Sequence, residues 1–233
     1  MKIRYFSLVF FLCMLLPHKL YADAAIAFNF YPYLTDVKSD SDFTINTLVP
    51  LPARFSYFSF VNFGGVFHSG SARFQITEQN LRWQVAEKLP VDLVLQDTIR
   101  NGRDNDTIHV GARWRLSNTQ GLNSFFNAIH LNYSVHIFPK RFDQRDVGGW
   151  QISHAYVMTF PYISNRLYFS GFLDHNINER SLAGGTRDNI VSENQFGIRL
   201  VEKVYAVMEF RINDYRRSDT TNLGFGIEIK TNW

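Results

Sequence analysis

The sequence predicts an all-β protein, a transmembrane antiparallel β-barrel of twelve strands. Apolar and polar residues alternate along successive segments of about nine to eleven residues, the length of a tilted strand that crosses a bilayer. The chain contains 22 Phe, 11 Tyr and 4 Trp, although its mean hydropathy is only −0.16. It also ends on an alternating segment whose last residue is Trp233. Outer-membrane barrels combine these features, because lipid-facing apolar side chains alternate with polar side chains in the lumen.

The first 24 residues are predicted to be a secretory signal peptide. Lys2 and Arg4 give a positive start, Tyr5 to Leu16 form an apolar run, and Ala22-Asp23-Ala24 is an A-x-A cleavage site. The apolar run is too short for a membrane-spanning helix. We therefore expect residues 1–24 to be removed and residues 25–233 to form one barrel domain in a bacterial outer membrane.

The chain after the signal peptide divides into six hairpins, each with a polar loop between its strands and a short turn after it. The predicted strand pairs are Ile26–Leu34 with Phe43–Leu51, Arg54–Phe63 with Thr77–Ala86, Val91–Arg100 with Thr107–Leu116, Phe126–Phe138 with Trp150–Phe160, Leu167–Asn176 with Ile190–Leu200, and Val204–Asp214 with Asn222–Trp233. An even number of strands puts both chain ends on the periplasmic side. The alternative is a ten-strand barrel, in which Ile26–Leu34 and its partner stay in the periplasm.

A period of two assigns the faces of each strand. The apolar faces are predicted to carry Ile26, Phe28 and Phe30; Leu81, Trp83 and Val85; Ile108, Val110, Ala112, Trp114 and Leu116; Ile129, Leu131, Tyr133, Val135 and Ile137; and Leu223, Phe225, Ile227 and Ile229. Pro50-Leu51-Pro52 and Lys88-Leu89-Pro90 are turn signals between the first hairpins.

Charged residues in the middle of the predicted strands exclude a soluble β-sandwich. Arg82, Arg113, Arg115, Glu209 and Arg211 alternate with apolar residues, so a sandwich would bury them without compensation. In a barrel the same side chains face a wet lumen. The sequence therefore favours the membrane barrel.

Charge and cysteine content exclude other classes of protein. Without the predicted signal peptide, Lys and Arg number 21 against 20 Asp and Glu, because Lys2, Arg4, Lys19 and Asp23 are removed from totals of 24 and 21. This near-neutral balance gives no indication of nucleic-acid binding. Cys13 is the single cysteine and lies in the signal peptide, so neither a disulfide nor a thiolate metal site is expected.

The last strand carries a predicted insertion signal. Phe225, Ile227, Ile229 and Trp233 share one face and end on an aromatic residue, which resembles the C-terminal signal of bacterial outer-membrane barrels. That resemblance implies recognition by the barrel-assembly machinery, with this strand closing the barrel.

The lumen is the predicted functional site. Alternation places aromatic side chains there beside both signs of charge, and such groups bind flat polar solutes by stacking and edge contacts. The candidate binding residues are Tyr31, Tyr33, Phe60, Glu78, Arg82, Arg113, Tyr168, Phe172, Asp174, Glu193, Glu209 and Arg211. Because mixed charges pair across a narrow lumen, we expect no wide open pore. We expect neither a metal nor a cofactor.

The remaining partners follow from the membrane setting. Cations near the outer surface, among them Arg100, Lys140 and Arg141, are expected to pair with phosphates of lipopolysaccharide or to be solvated. Other expected partners are the outer-membrane lipids and a small polar solute that diffuses through a monomeric barrel.

Two alternatives to a channel stay open. An outer-membrane lipid hydrolase or acyltransferase requires a lipid-facing His and Ser close together, but none of the six histidines after residue 24 is followed by Ser two residues later. His68 with Ser69 and Ser71 forms the one close group, in a predicted loop. We therefore expect no enzymatic activity. The second alternative is a closed structural or adhesive barrel, with its lumen bridged by ion pairs.

Three segments in the second half of the chain form a recognisable series. Trp150–Phe160 is followed by Asn165–Asp174, which contains the pattern Leu-x-Phe-x-Gly-Phe-x-Asp, and then by the Glu-x-Gln-aromatic element in Ser192–Phe196. This series resembles the superfamily of Tsx-type nucleoside-specific channels. Ser56–Val61 and the later Glu78 match a Phe-rich early strand and its return partner. The resemblance covers about half of the chain after the signal peptide.

The resemblance implies a monomeric barrel of twelve strands with a narrow channel and weak nucleoside sites formed by lumen aromatics. Only Glu78, Phe172, Asp174 and Glu193 match by position, as residues of the lumen. The acidic residue that the family carries on the early strand is replaced near Val61-Asn62, a departure that concerns nucleoside specificity more than fold.

Overall fold

The structure is a computed structural model that describes residues 24–34, 41–65, 74–101, 106–143, 149–180, 185–215 and 220–231. The predicted signal peptide, apart from Ala24, lies outside the described residues, as do Trp233 of the insertion signal and the His68–Ser71 group. The single barrel domain over residues 25–233 therefore stays a prediction in its exact bounds.

Twelve antiparallel strands form one closed barrel, in which each strand pairs with its neighbours in sequence and β1 pairs with β12. The strands are β1 Ala25–Leu34, β2 Ser41–Pro50, β3 Phe55–Gly64, β4 Phe74–Gln84, β5 Val91–Arg100, β6 Thr107–Arg115, β7 Leu131–Asp143, β8 Trp150–Phe160, β9 Ser164–Arg180, β10 Thr186–Val201, β11 Val204–Asn213 and β12 Thr221–Thr231. The predicted fold class is confirmed. The ten-strand alternative is wrong, because the first hairpin is part of the barrel wall.

The seam between β1 and β12 closes the barrel. It runs from Ile26 opposite Thr231 to Leu34 opposite Gly224, with a bulge between Phe30 and Tyr33. The backbone amide of Ile26 also donates a hydrogen bond of 3.3 Å to the Thr231 hydroxyl. Closure pairs the strand edges with each other, as a barrel in hydrocarbon requires.

The connection between β6 and β7 differs from the prediction. Phe126–His130 was expected to begin a strand, but Asn123–Ala128 forms a helix, α1, and the strand begins at Leu131. The sequence explains the difference, because Phe126 and Ile129 are three residues apart, a helical spacing. Phe126 is buried and stacks on Tyr133 at a ring-centroid distance of 5.9 Å.

The strands after α1 also extend further than predicted. The structure continues β7 to Asp143, where a loop was expected from Pro139 onward, and β9 spans 17 residues. Over the part of the chain that the structure describes, no helix is long and apolar enough to cross a membrane.

The outer and inner surfaces of the barrel have opposite character. Large apolar side chains are exposed on the outside, among them Leu93, Leu95, Ile108, Val110, Trp114, Trp150, Phe196, Phe225, Ile227 and Ile229. The buried set on the inside is mostly polar or charged, among them Asn29, Asn80, Asp92, Gln96, His136, Gln195, Glu209, Arg211 and Glu228. A soluble protein has the opposite arrangement, with apolar side chains inside and polar side chains outside. Apolar outer and polar inner surfaces are the pattern of a barrel that spans a bacterial outer membrane.

Two inward glycines accept tyrosine side chains from neighbouring strands. A Cβ atom on Gly197 would lie 2.1 Å from Cε1 of Tyr168, and one on Gly226 would lie 2.0 Å from the backbone oxygen of Phe30 and 2.9 Å from Tyr31. These close approaches require glycine. They let Tyr168 and Tyr31 lie flat against the wall and reach the side chains described below.

We expect Gly226→Ala to weaken the closing seam. The added methyl group would overlap the backbone of β1, an overpacking that typically lowers the free energy of unfolding by about 1–3 kcal/mol. The measurement is the temperature at which refolded protein loses its compact band on an unheated denaturing gel. Ala206→Val, on the lipid-facing side of β11, is the matched control. Equal transition temperatures for both variants would contradict the seam's dependence on Gly226.

Candidate functional site: the barrel lumen

The structure places the predicted binding residues on the lumen side of the wall. They lie on the same strand faces as the buried polar residues of the interior, among them Asn62, Asn80, Asp92, Asn176 and Gln195. The residues placed there are Tyr31, Phe60, Glu78, Arg82, Arg113, Tyr168, Phe172, Asp174, Glu193, Glu209 and Arg211. The side chain of Tyr33 lies outside the described residues, although its backbone pairs with Phe225 next to the seam bulge. The roles of these residues in binding stay predictions.

Two phenyl rings meet across the bore. Phe60 on β3 and Phe172 on β9 stack with centroids 6.2 Å apart and planes 19° apart. In the closed strand order β3 and β9 are diametrically opposed, with five strands between them on each side. Asn62 on β3 also donates a hydrogen bond of 3.5 Å across the bore to Glu193 on β10. The lumen is therefore pinched at this level.

Three carboxylates surround the phenyl pair. Glu78 is the register partner of Phe60, and Glu193 is the register partner of Phe172. Asp174 follows Phe172 on the same face of β9, across the bore from Glu78 on β4. We call Phe60, Asn62, Glu78, Phe172, Asp174 and Glu193 the waist.

The carboxylates of the waist differ in their surroundings. Glu193 lies opposite Arg211 in the β10–β11 ladder, so a cation is adjacent to it. Glu78 accepts a hydrogen bond of 2.9 Å from the Asn80 amide. Asp174 receives hydrogen bonds from Ser153 and Gln151, which leaves its Oδ1 buried without a hydrogen-bond partner. An unsatisfied buried carboxylate oxygen is costly and calls for an additional donor or cation.

An arginine cluster lies to one side of the waist, on β4–β6. Asp92 is 2% exposed, and its Oδ2 accepts a hydrogen bond of 2.6 Å from Nε of Arg113. Its Oδ1 forms a 3.3 Å ion pair with Arg115. Arg82 lies over the Phe58 ring at 4.9 Å. One carboxylate thus holds two of the three guanidinium groups, near the short turn of residues 85–90.

A tyrosine–carboxylate cluster fills the other side, along β9–β12 and β1. The hydroxyl of Tyr31, whose side chain is fully buried, donates to Glu209, which also pairs with Arg211. The hydroxyl of Tyr168 donates to Glu228 and accepts a 2.6 Å hydrogen bond from Gln195. This cluster braces the wall, because each hydroxyl joins strands that are not neighbours in the barrel.

The predicted list of binding residues omits several members of these arrangements, among them Asn62, Gln195, Glu228 and Lys230. Asn62 was read only as the place of a missing acid, while Gln195, Glu228 and Lys230 were not assigned to the site. Lys230 pairs with Glu228 at 3.1 Å and lies 3.8 Å from the centroid of the Tyr168 ring. The signal was present, because Gln195 alternates with Glu193, and Glu228 and Lys230 form the polar face of the last strand.

The hydrolase alternative lacks its required geometry on the described outer wall. His154 faces lipid, but its Nδ1 is hydrogen-bonded to the Tyr133 hydroxyl at 2.6 Å. Ser192 is two strands away, with Leu173 between them in the same register row. Its hydroxyl donates to the backbone oxygen of Phe172 at 2.8 Å. A nucleophile and its base must be within hydrogen-bond reach, and these two side chains are not.

Metal chemistry receives no support from the described part of the chain, in which no group of three or more His, Asp or Glu side chains is placed to hold an ion.

The outer rim carries the cations that were expected to meet lipopolysaccharide. Lys140 and Arg141 belong to the extended part of β7 and line a cavity of about 250 Å³ with Trp150 and Asn178. The Trp150 side chain is 53% exposed on the outer surface. Aromatic and cationic side chains at this level are typical of the membrane interface.

Comparisons with known proteins identify the fold and not a family. The chain matches no protein-family model, and no curated protein sequence is significantly similar to it. Among solved structures it is similar to the KdgM porin, with a TM-score of 0.50 and 12% identity over 88% of this chain and 98% of that one. It is similar to the NanC porin with the same TM-score and coverage at 10% identity. The expectation of a twelve-strand transmembrane barrel is confirmed by this likeness in fold, and the Tsx-type resemblance stays a prediction.

We expect Asp92→Asn to destabilise the barrel strongly. The substitution leaves two partly buried guanidinium groups without their shared carboxylate, and the loss of a hydrogen bond between charged groups typically costs about 1.5–3 kcal/mol. Urea unfolding in lipid vesicles, followed by tryptophan fluorescence, measures the change. Asp97→Asn removes the same charge from the lipid-facing side of the same strand and is expected to cost nothing. A similar loss in both variants would show that the ion pairs of Asp92 carry no special stability.

Proposed function

We propose that the protein is a narrow channel in the bacterial outer membrane through which small polar solutes diffuse passively, and that nucleosides are among them. The observation that carries the proposal is the waist, where two nearly parallel phenyl rings face each other across a lumen otherwise lined by polar side chains. A barrel with a closed, dry interior would not need charged groups on opposite walls along its axis, because buried charges without partners are costly.

The geometry of the waist favours flat solutes. Stacked rings lie about 3.5 Å from each other, so a base between two phenyl rings needs a centroid separation of about 7 Å. The present distance is 6.2 Å, and rotation about the side-chain torsions of Phe60 and Phe172 supplies the difference. The carboxylates of Glu78 and Glu193 beside the rings accept hydrogen bonds from the amino groups of a base or the hydroxyls of a sugar.

The membrane partners belong to the same proposal. Lys140 and Arg141 at the rim are suited to the phosphates of lipopolysaccharide, and the apolar wall is suited to lipid chains. Phe225, Ile227 and Ile229 form an exposed apolar row on β12, which suits recognition by the barrel-assembly machinery. The barrel encloses its own lumen, so a monomer suffices for transport.

We predict that Phe60→Ala and Phe172→Ala each raise single-channel conductance in planar bilayers severalfold, because removing one ring opens the bore where side chains from opposite walls meet. Wild-type protein is expected to give small, steady conductance steps. Phe210→Ala is the matched control, since Phe210 faces lipid and is 41% exposed. Unchanged conductance in both ring variants would contradict a waist at this position.

Nucleosides test the solute class. In wild-type channels, millimolar adenosine or cytidine is expected to reduce the current. Glucose and glycine are not expected to reduce it, because neither has a flat aromatic ring that stacks between the phenyl groups. The ring variants should lose this block. If wild-type protein carries no current at any voltage, the chain is a closed structural barrel instead.

A further inference from the structure

We infer that the waist is a recognition site for organic cations, that is, for solutes with a protonated amine or a quaternary ammonium group. The inference rests on the proposed channel and names the charge class that the site selects. Its basis is the juxtaposition of the Phe60–Phe172 ring pair with the Glu78 and Asp174 carboxylates, which come from β4 and β9 across the bore.

The charge at the waist is negative. Glu193 has Arg211 beside it in the ladder, whereas Glu78 is hydrogen-bonded to the neutral Asn80 and Asp174 to the neutral Ser153 and Gln151. Arg82, on the same face of β4 as Glu78, lies over the Phe58 ring at 4.9 Å. Glu78 and Asp174 thus lie on opposite walls of the bore at the level of the ring pair, and a cation between them is attracted to both.

The phenyl rings supply the second half of the recognition. The face of an aromatic ring attracts ammonium groups, and the combination of rings with carboxylates is how quaternary and protonated amines are held in other proteins. The unpartnered Oδ1 of Asp174 adds an acceptor that a primary amine satisfies. A neutral flat solute stacks on the rings and donates hydrogen bonds to the carboxylates, whereas an amine-bearing solute adds an attraction between opposite charges and therefore binds more tightly at the same place.

The arginine cluster does not reverse this preference. Arg113 and Arg115 share Asp92, and Arg82 is stacked on Phe58. These groups lie toward the end of the bore formed by the turn of residues 85–90, away from the Phe60–Phe172 ring pair. Selectivity is set by the charged groups at the constriction that every ion must pass.

The test is the reversal potential of refolded channels in a potassium chloride gradient. Wild-type protein is expected to prefer potassium over chloride by about fivefold for each carboxylate near the ion, from Coulomb's law in a water-filled bore. Glu78→Gln and Asp174→Asn should each reduce the preference, and the double variant should abolish it. Asp97→Asn, on the lipid-facing side of β5, removes one carboxylate outside the bore and should change nothing.

Choline and putrescine serve as the organic probes. Each is expected to block wild-type current at concentrations at least tenfold lower than those at which sodium has any effect, and the double variant should lose the block. A conducting channel that prefers chloride, or one whose preference and block survive in the double variant, overturns the inference and leaves the channel function intact.

Absence of current separates the two proposals. If the wild-type barrel does not conduct, the channel function is wrong, and the cation site is then tested by titrating detergent-refolded protein with choline in a calorimeter. Binding heat in the wild type that disappears in the double variant supports the site. No binding heat in the wild type overturns it.

Discussion

The pairing of β1 with β12 is the constraint on which the rest of the structure depends. In hydrocarbon each unpaired backbone amide or carbonyl group costs several kcal/mol, so an open edge cannot persist, and the seam removes both edges at once. The seam runs for most of β1 and continues past a bulge between Phe30 and Tyr33. Closure fixes which face of every strand meets lipid, because a shift of register by one residue would turn all apolar side chains of a strand inward.

Closure also determines how the lumen is filled. Twelve strands enclose a bore that side chains from opposite walls can bridge, as Phe60 and Phe172 do. Charges in such a bore are stable only with partners, and two clusters provide them: the arginines around Asp92, and the tyrosines with Glu209 and Glu228. These braces leave the waist as the place where acidic groups meet aromatic rings with little neutralisation. The proposed selectivity follows from this contrast, because the charges of the two clusters have partners of opposite sign or hydrogen-bond donors, while the carboxylates of the waist are less fully neutralised.

Much of this architecture was predictable from alternation alone. The period of two gave the strands, their number and the inward placement of residues such as Glu78 and Arg113, because side-chain direction in a strand is a local property. It failed at Phe126–His130, where the apolar spacing is helical and α1 forms. Alternation could not predict the contact between Phe60 and Phe172, because a contact across the bore depends on barrel curvature and on strands that are six positions apart. Lys230 was overlooked because the Tyr168 and Tyr205 rings that it contacts lie on other strands, although its ion-pair partner Glu228 is on the same strand.

Chemical modification at the waist tests the central claim most directly. Cys13 is the only cysteine and precedes the barrel, so Phe60→Cys introduces a single thiol into it. The account predicts that a small methanethiosulfonate reagent lowers the single-channel current of Phe60→Cys in one step, because the label occupies the narrowest part of the conducting path. The same reagent should leave Phe210→Cys unchanged, as that thiol faces lipid. A current through Phe60→Cys that is unaffected by the reagent would contradict a conducting path through the waist.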